Sequence, residues 1–158
     1  MKNIVIVIAI ALTFVSCVKN ANKCMQKTPE SQAPNSEIAN VKAYLTANSL
    51  VATEHPTGLF YNITNGGTGN AVKDQCSQVA VNYRGKLTNG TQFDASTATV
   101  TFNLFQLING WRIGIPYLKA GGSIKLYVPP SLGYGANATP TIPANSILIF
   151  DIDLVGTN

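Results

Sequence analysis

The sequence predicts an α+β fold, a single antiparallel sheet crossed by one short helix, with a second helix ahead of the sheet. Three observations predict it. Apolar and polar residues alternate over several segments beyond Gly58, Asn-Gly and Gly-Gly pairs punctuate those segments, and helical spacing recurs in only two places. With 158 residues, the chain suits one domain plus an extension, because single domains commonly run to about 100–150 residues.

Residues 1–16 read as a secretory signal: Lys2 is a minimal positive region and Ile4 to Val15 is an almost unbroken apolar run. That run is shorter than the roughly 20 residues a spanning helix needs. It ends in Phe14-Val15-Ser16-Cys17, which resembles a bacterial lipobox, with Phe14 in place of the usual leucine. Cys17 is therefore the expected lipidation site, and two or more acyl chains would hold the protein to a membrane stably where one would not. Ordinary cleavage near Ser16, leaving Cys17 a free thiol, is the alternative. Cys24 and Cys76 remain, and an exported chain with two leftover cysteines often pairs them. The sequence leaves both the bridged and the free state open.

Residues 17–35 turn to Asn, Lys, Gln, Ser and Pro and read as a flexible linker from the anchor. A helical extension is expected over 36–57: Ser36 is a candidate N-cap, Glu37 stands in the first turn, and Ile38, Val41, Tyr44 and Leu45 recur at helical spacing until Asn48 and Ser49 weaken the pattern. Packing on the following domain is the simplest role for this helix; dimerisation is the other.

The period changes to two over 58–158. Leu59, Tyr61 and Ile63 alternate up to the turn at Asn65-Gly66-Gly67. Val79, Val81, Tyr83, Gly85 and Leu87 share one face of the next strand, which Asn89-Gly90 closes as a hairpin. Thr91 to Phe93 and Thr99 to Leu104 are the following strands. Gln106 to Ile115 is the candidate short helix, with Gly110 weakening it and Pro116 ending it. Ile124, Leu126 and Val128, and then Leu148, Phe150, Ile152 and Leu154, supply the last alternations.

Composition narrows the function. Hydrophobic residues make up 46% and charged residues 11%, which suits a globular body with a polar, weakly charged surface. The net charge of +4 includes Lys19, Lys23 and Lys27 near the start, and no stripe of Lys and Arg interleaved with aromatics follows, so no nucleic-acid partner is expected. Conventional catalysis is poorly supplied. The one histidine, His55, precedes Pro56; no Cys/His spacing suits a metal; no glycine-rich turn opens a helix to hold phosphate. Asp151 and Asp153 share a strand face at two-residue spacing, the pattern of a solvated outer face. No metal and no cofactor are expected.

What Gln78 to Val155 does hold is a series of motifs in a fixed order. They are Val81-Asn82-Tyr83-Arg84-Gly85-Lys86-Leu87 and Phe93-Asp94-Ala95-Ser96, then Gln106-Leu107-Ile108-Asn109-Gly110-Trp111 and Gly121-Gly122-Ser123-Ile124-Lys125-Leu126-Tyr127-Val128-Pro129. Leu132-Gly133-Tyr134-Gly135 and Ile142-Pro143-Ala144-Asn145 follow, leading into Phe150-Asp151. The series resembles the FKBP-type peptidyl-prolyl cis-trans isomerases. The resemblance implies a sheet half-wrapped around the short helix, with an apolar pocket between them. It places Trp111 at the pocket floor, Tyr83 and Phe93 as walls with Phe102 near them, and Phe150 beneath. Leu107 and Ile108 are implied at the edge, Asp94, Tyr134 and the Ile108 backbone N–H as polar contacts, and Ile142 at the tip of a flap. Tyr83, Phe93, Asp94, Trp111, Tyr134 and Phe150 are thus the implied catalytic set; Phe102, Leu107, Ile108 and Ile142 are the implied substrate-binding set.

The implied substrates are proline-containing polypeptides, and the implied role is folding of exported proteins. Three positions depart from the family: Val100 and Phe105 replace a frequent aromatic and a frequent glycine, and no arginine lies between Asp94 and Trp111. They leave a second reading, a binding module for proline segments or a partner protein without turnover. Lipoproteins with a helix before such a domain resemble those of Bacteroidota, where an acidic run after the anchor tends to accompany surface display. The stretch after Cys17 has no such run, so the expected place is the outer membrane, facing the periplasm.

Overall fold

The computed structural model describes Pro29 and residues 31–158. The expected signal, Cys17, Cys24 and most of the expected linker lie outside the described residues. Helix α1 (Asn35–Ala47) precedes strands β1 (Thr53–Glu54), β2 (Phe60–Asn65), β3 (Gln78–Leu87), β4 (Gln92–Ala95) and β5 (Val100–Asn103). Helix α2 (Asn109–Gly114), β6 (Gly122–Val128) and β7 (Leu148–Thr157) complete the chain. This is the α+β arrangement the patterning predicts. The antiparallel sheet runs β1-β2-β6-β7-β3-β4, and β5 pairs with β3 beside the same edge. Arg84, Gly85 and Lys86 of β3 pair with β4, whereas Gln78 to Val81 pair with β5.

Period-two patterning decides the two faces. On the inner face Val79 and Val81 of β3, Ile124, Leu126 and Val128 of β6, and Leu148, Phe150, Ile152 and Leu154 of β7 are all buried, and α2 packs on this face against β6. The outer face is split. Around Lys125 and Asp151, which form an ion pair at 2.8 Å, it is polar, and Asp153 there accepts the Ser123 hydroxyl. Around Phe60 and Tyr127 it is apolar and covered by α1, with Tyr44 tilted against Tyr127 at 6.4 Å and the Lys42 ammonium over the Phe60 ring. Ile38, Val41 and Leu45 of α1 are buried, each burial stabilising by about 1.5–3 kcal/mol. The Glu37 carboxylate ties the helix down further by accepting the N–H (2.9 Å) and hydroxyl (2.7 Å) of Ser131.

Three local expectations change. Ser36 does not cap α1: the Pro34 carbonyl accepts from the N–H groups of Glu37 and Ile38, so the helix starts ahead of the serine, inside whose first turn it falls. The helix ends at Ala47, where Asn48 and Ser49 weaken its spacing, but within the rest of the extension Thr53–Glu54 joins the sheet as an edge strand against Phe60 and Tyr61. The short helix begins at Asn109 and not at Gln106. Leu104–Gln106 makes a separate 3-10 turn, and Leu107 and Ile108 after it are extended.

Gly110 does more than weaken α2. A Cβ there would lie 2.7 Å and 2.8 Å from the two methyls of Val128. Valine is stiff about χ1 and cannot turn both methyls away, so the glycine sets how closely the helix sits on β6. Gly110→Ala is therefore expected to destabilise the fold by about 1–3 kcal/mol despite alanine's better helix propensity, read as a lower urea midpoint.

Candidate functional site

Between α2 and the inner face lies a cavity of about 150 Å³ lined by Tyr83, Phe93, Asp94, Phe102, Leu107, Ile108, Trp111, Tyr134 and Phe150. Each element contributes for a local reason. Alternation along β3 turns Tyr83 inward, and its backbone is fixed on both sides of its Cα: its N–H donates to the Ser96 hydroxyl (2.9 Å) and its carbonyl accepts from the Ser96 N–H (3.0 Å). Strand β4 brings Phe93 and Asp94, and β5 brings Phe102. The extended Leu107-Ile108 pair aims two aliphatic side chains at the cavity before α2 starts on the Ile108 carbonyl, which accepts from Trp111 (3.0 Å) and Arg112 (3.1 Å).

Trp111, 3% exposed, is the hub. Its ring meets Tyr83 at 5.2 Å and 79°, Phe150 at 5.3 Å and 90°, and Phe102 at 6.2 Å and 83°, all edge-to-face. Phe93 adds a further edge-to-face contact with Phe150 at 5.5 Å and 87°. Such pairs each contribute about 0.5–1.5 kcal/mol beyond the area they bury, so the rings hold one another in place. The buried indole N–H finds no hydrogen-bond acceptor among the described residues.

Polar groups stand at the rim. The Tyr83 hydroxyl donates to Asp94 Oδ2 at 2.7 Å. Burial first, and then this hydrogen bond and the carboxylate's charge, push the Tyr83 phenol up to about 12, so it stays a donor throughout the neutral range. Tyr134 is 42% exposed and lies in a loop after a 3-10 turn, Pro130–Leu132. A larger hollow of about 320 Å³ opens between α1 and the outer face, but Lys86, Lys125 and Asp151 line it and no aromatic cage closes around it.

The structure thus brings together nine of the ten residues singled out from sequence for the pocket. The tenth, Ile142, is 4% exposed and packed in the core, outside the cavity lining; its N–H donates to the Thr139 hydroxyl and its carbonyl accepts the Thr139 N–H. Val100 is 36% exposed at the sheet edge and does not reach the cavity. Two contributors escape the sequence reading. Ser96 closes the Phe93-Asp94-Ala95-Ser96 motif, but nothing in that motif announces its clamp on the Tyr83 backbone. Gly85 opposes Phe150 in the sheet, and a Cβ there would lie 2.6 Å from Phe93; a glycine at an inward position of an otherwise apolar strand was the available signal.

Residues 69–155 match the family model described as FKBP-type peptidyl-prolyl cis-trans isomerase. An FKBP-type peptidyl-prolyl cis-trans isomerase FkpA of Buchnera aphidicola subsp. Schizaphis graminum is 48% identical over 102 residues, which is 63% of this chain and 40% of that protein. The FkpA of Escherichia coli (strain K12) is 44% identical over 102 residues, again 63% of this chain and 37% of its own length. The chain therefore spans about two fifths of the relatives it matches. Among solved structures, the crystal structure of FkpA from Escherichia coli superposes with a TM-score of 0.70 at 36% identity, covering 78% of this chain and 60% of that one. AtFKBP13 superposes with a TM-score of 0.63 at 30% identity, covering 68% of this chain and 99% of that one.

Proposed function

The chain belongs to the FKBP-type peptidyl-prolyl cis-trans isomerase family, and we propose that it catalyses rotation about Xaa-Pro bonds in exported polypeptides. The observation that carries this reading is the cavity itself: six aromatic residues and two aliphatic side chains surround a space of about 150 Å³, with Asp94 and the hydroxyls of Tyr83 and Tyr134 as its polar groups. An apolar cavity of that size takes a benzene-sized ring. A five-membered proline ring is a closer fit than a whole peptide segment, so the ring enters over Trp111 while the flanking chain lies across the rim.

Rotation is opposed by amide resonance, worth a barrier of roughly 18–20 kcal/mol. The planar amide carries a charge-separated form that water stabilises well, and the twisted transition state has lost much of it. A dry aromatic cage therefore destabilises the ground state more than the transition state, and no proton has to move. Proline bonds are the substrates such a site suits, because their cis and trans forms differ by only about 0.5–1 kcal/mol and interconvert over tens to hundreds of seconds unaided. The Ile108 backbone N–H and the Tyr134 hydroxyl fix the flanking carbonyls, and Asp94 holds the Tyr83 ring upright through its hydroxyl.

Export and anchoring complete the reading. The apolar leader would carry the chain across the inner membrane, and acylation of Cys17 would hold it to the outer membrane on the periplasmic side, where newly exported chains fold.

A protease-coupled assay on a Xaa-Pro peptide, with the chain from Val18 onward, tests the activity. Acceleration over the uncatalysed rate is expected; a folded protein that binds the peptide without accelerating it would instead mark a binding module. Tyr134→Phe removes one exposed hydroxyl, so kcat/KM is expected to fall about three- to tenfold, one hydrogen bond's worth, with an unchanged unfolding midpoint.

A further inference from the structure

Cys76 is disulfide-bonded. We propose that its partner is Cys24, and that the bridge shortens the leash between the membrane anchor and the isomerase domain. That Cys76 is bridged does not depend on the anchored, exported reading above; the choice of Cys24 as partner and the membrane part of this inference rest on it.

The chain has three cysteines, so the partner within it is Cys17 or Cys24. The two outcomes exclude different things: a bridge to Cys17 would consume the sulfur that acylation needs, whereas a bridge to Cys24 leaves it available. Export places both thiols where bridges form and persist. In forming, the pair gives up two protons and two electrons by exchange with an exported oxidising disulfide, which is reduced to a dithiol.

Cys76 is a rigid point of attachment. Its N–H donates to Asp74 Oδ1 at 2.7 Å, within a turn that the Ser77 N–H closes on the Asp74 carbonyl. On one side Gln75, 3% exposed, locks that turn to α2: its amide donates to the Arg112 carbonyl (3.0 Å) and its side-chain oxygen accepts from Arg112 Nε (3.1 Å). On the other side Ser77, 4% exposed, accepts the Leu104 N–H through its carbonyl just before β3 begins. A pull on Cys76 is therefore borne by α2, which carries Trp111, and by strand β3, which pairs with β4, β5 and β7.

The consequence is one of length. Without the bridge, the first backbone attachment among the described residues is Ala33, whose N–H donates to Thr57 at 2.8 Å. From Cys17 that is a reach of about 55 Å for extended chain. With Cys24 clamped at Cys76 the reach falls to about 25 Å. It also leaves the domain from the start of β3 beside α2, and not from α1 on the opposite face. Reduction would more than double the distance at which the pocket can work from the membrane.

Two experiments on the full chain, taken from cell envelopes without reductant and with free thiols blocked, test this. In a tryptic map, pieces 24–27 and 74–84 are expected as one disulfide-linked species that separates on reduction. A link between 17–19 and 74–84, or blocked free thiols at both Cys24 and Cys76, would overturn the proposal. The mass of piece 17–19 reports acylation separately, and the isomerase assay reports turnover separately, so neither failure can be mistaken for the absence of the bridge. In the second experiment a Glu-specific protease cuts after Glu30, between the two attachments; no acidic residue lies between Cys17 and Glu30. The cut domain is expected to stay with the membrane until a reductant is added. Release without reductant from a chain shown to be acylated would overturn the short leash.

Discussion

Trp111→Ala is expected to lower the unfolding free energy by about 3–5 kcal/mol and to reduce kcat/KM on a Xaa-Pro peptide at least tenfold. The indole is 3% exposed and meets the rings of Tyr83, Phe102 and Phe150, so its removal opens a void that three rigid rings cannot close without leaving their own contacts. On the mechanism proposed above, the floor for the proline ring would disappear with it, and water would enter the space that has to stay dry to destabilise the planar amide. Because Trp111 is the only tryptophan, unfolding has to be followed by circular dichroism and not by its fluorescence. Trp111→Leu separates the two effects: it refills part of the volume, so stability should recover more than turnover does. A variant as stable and as active as the parent would show that the ring is neither core nor floor.

Much of this architecture could be read from the sequence because the sheet has one apolar inner face, and period-two alternation marks such a strand wherever it lies. Val79, Val81, Tyr83, Gly85 and Leu87 identify β3, and Leu148, Phe150, Ile152 and Leu154 identify β7, without knowledge of their neighbours. The cavity residues were legible for another reason: their ordered motifs resemble a family, and nine of ten then converge. The misses have physical causes. The Ser36 N-cap and the helix start at Gln106 fail because backbone geometry at Pro34 and at Leu107-Ile108 decides where each helix begins, and boundaries carry the weakest sequence signal. Strand β1 is two residues long and exposed, too short to show any period. Ile142 was assigned to a flap tip by resemblance, but its side chain is drawn into the core. The Ser96 clamp on Tyr83 joins residues thirteen apart through a loop, a contact only the folded chain can show.

Gly85 is where the fold and the pocket meet, and Gly85→Ala is expected to cost about 1–3 kcal/mol and to lower kcat/KM about tenfold. In the interior of a strand, exchanging glycine for alanine ordinarily stabilises, since glycine loses more chain entropy on folding. Here crowding reverses the sign. The new methyl would lie 2.6 Å from both Cε2 and Cζ of Phe93 and 3.0 Å from Cε1 of Phe150, the two rings of an edge-to-face pair. Neither ring is flexible at its far end, so relief requires Phe93 to swing, and Phe93 lines the cavity. Trp111→Ala empties the pocket; Gly85→Ala distorts its wall with the floor intact. A double-mutant cycle isolates the cause. In a Phe93→Leu background the narrower side chain can yield to the methyl, so most of the stability cost of Gly85→Ala should vanish, a coupling of about 1–2 kcal/mol within the range seen for residues in contact. Additive costs would mean that the strand backbone, and not the ring, objects to the methyl, and Gly85 would then have no part in shaping the site.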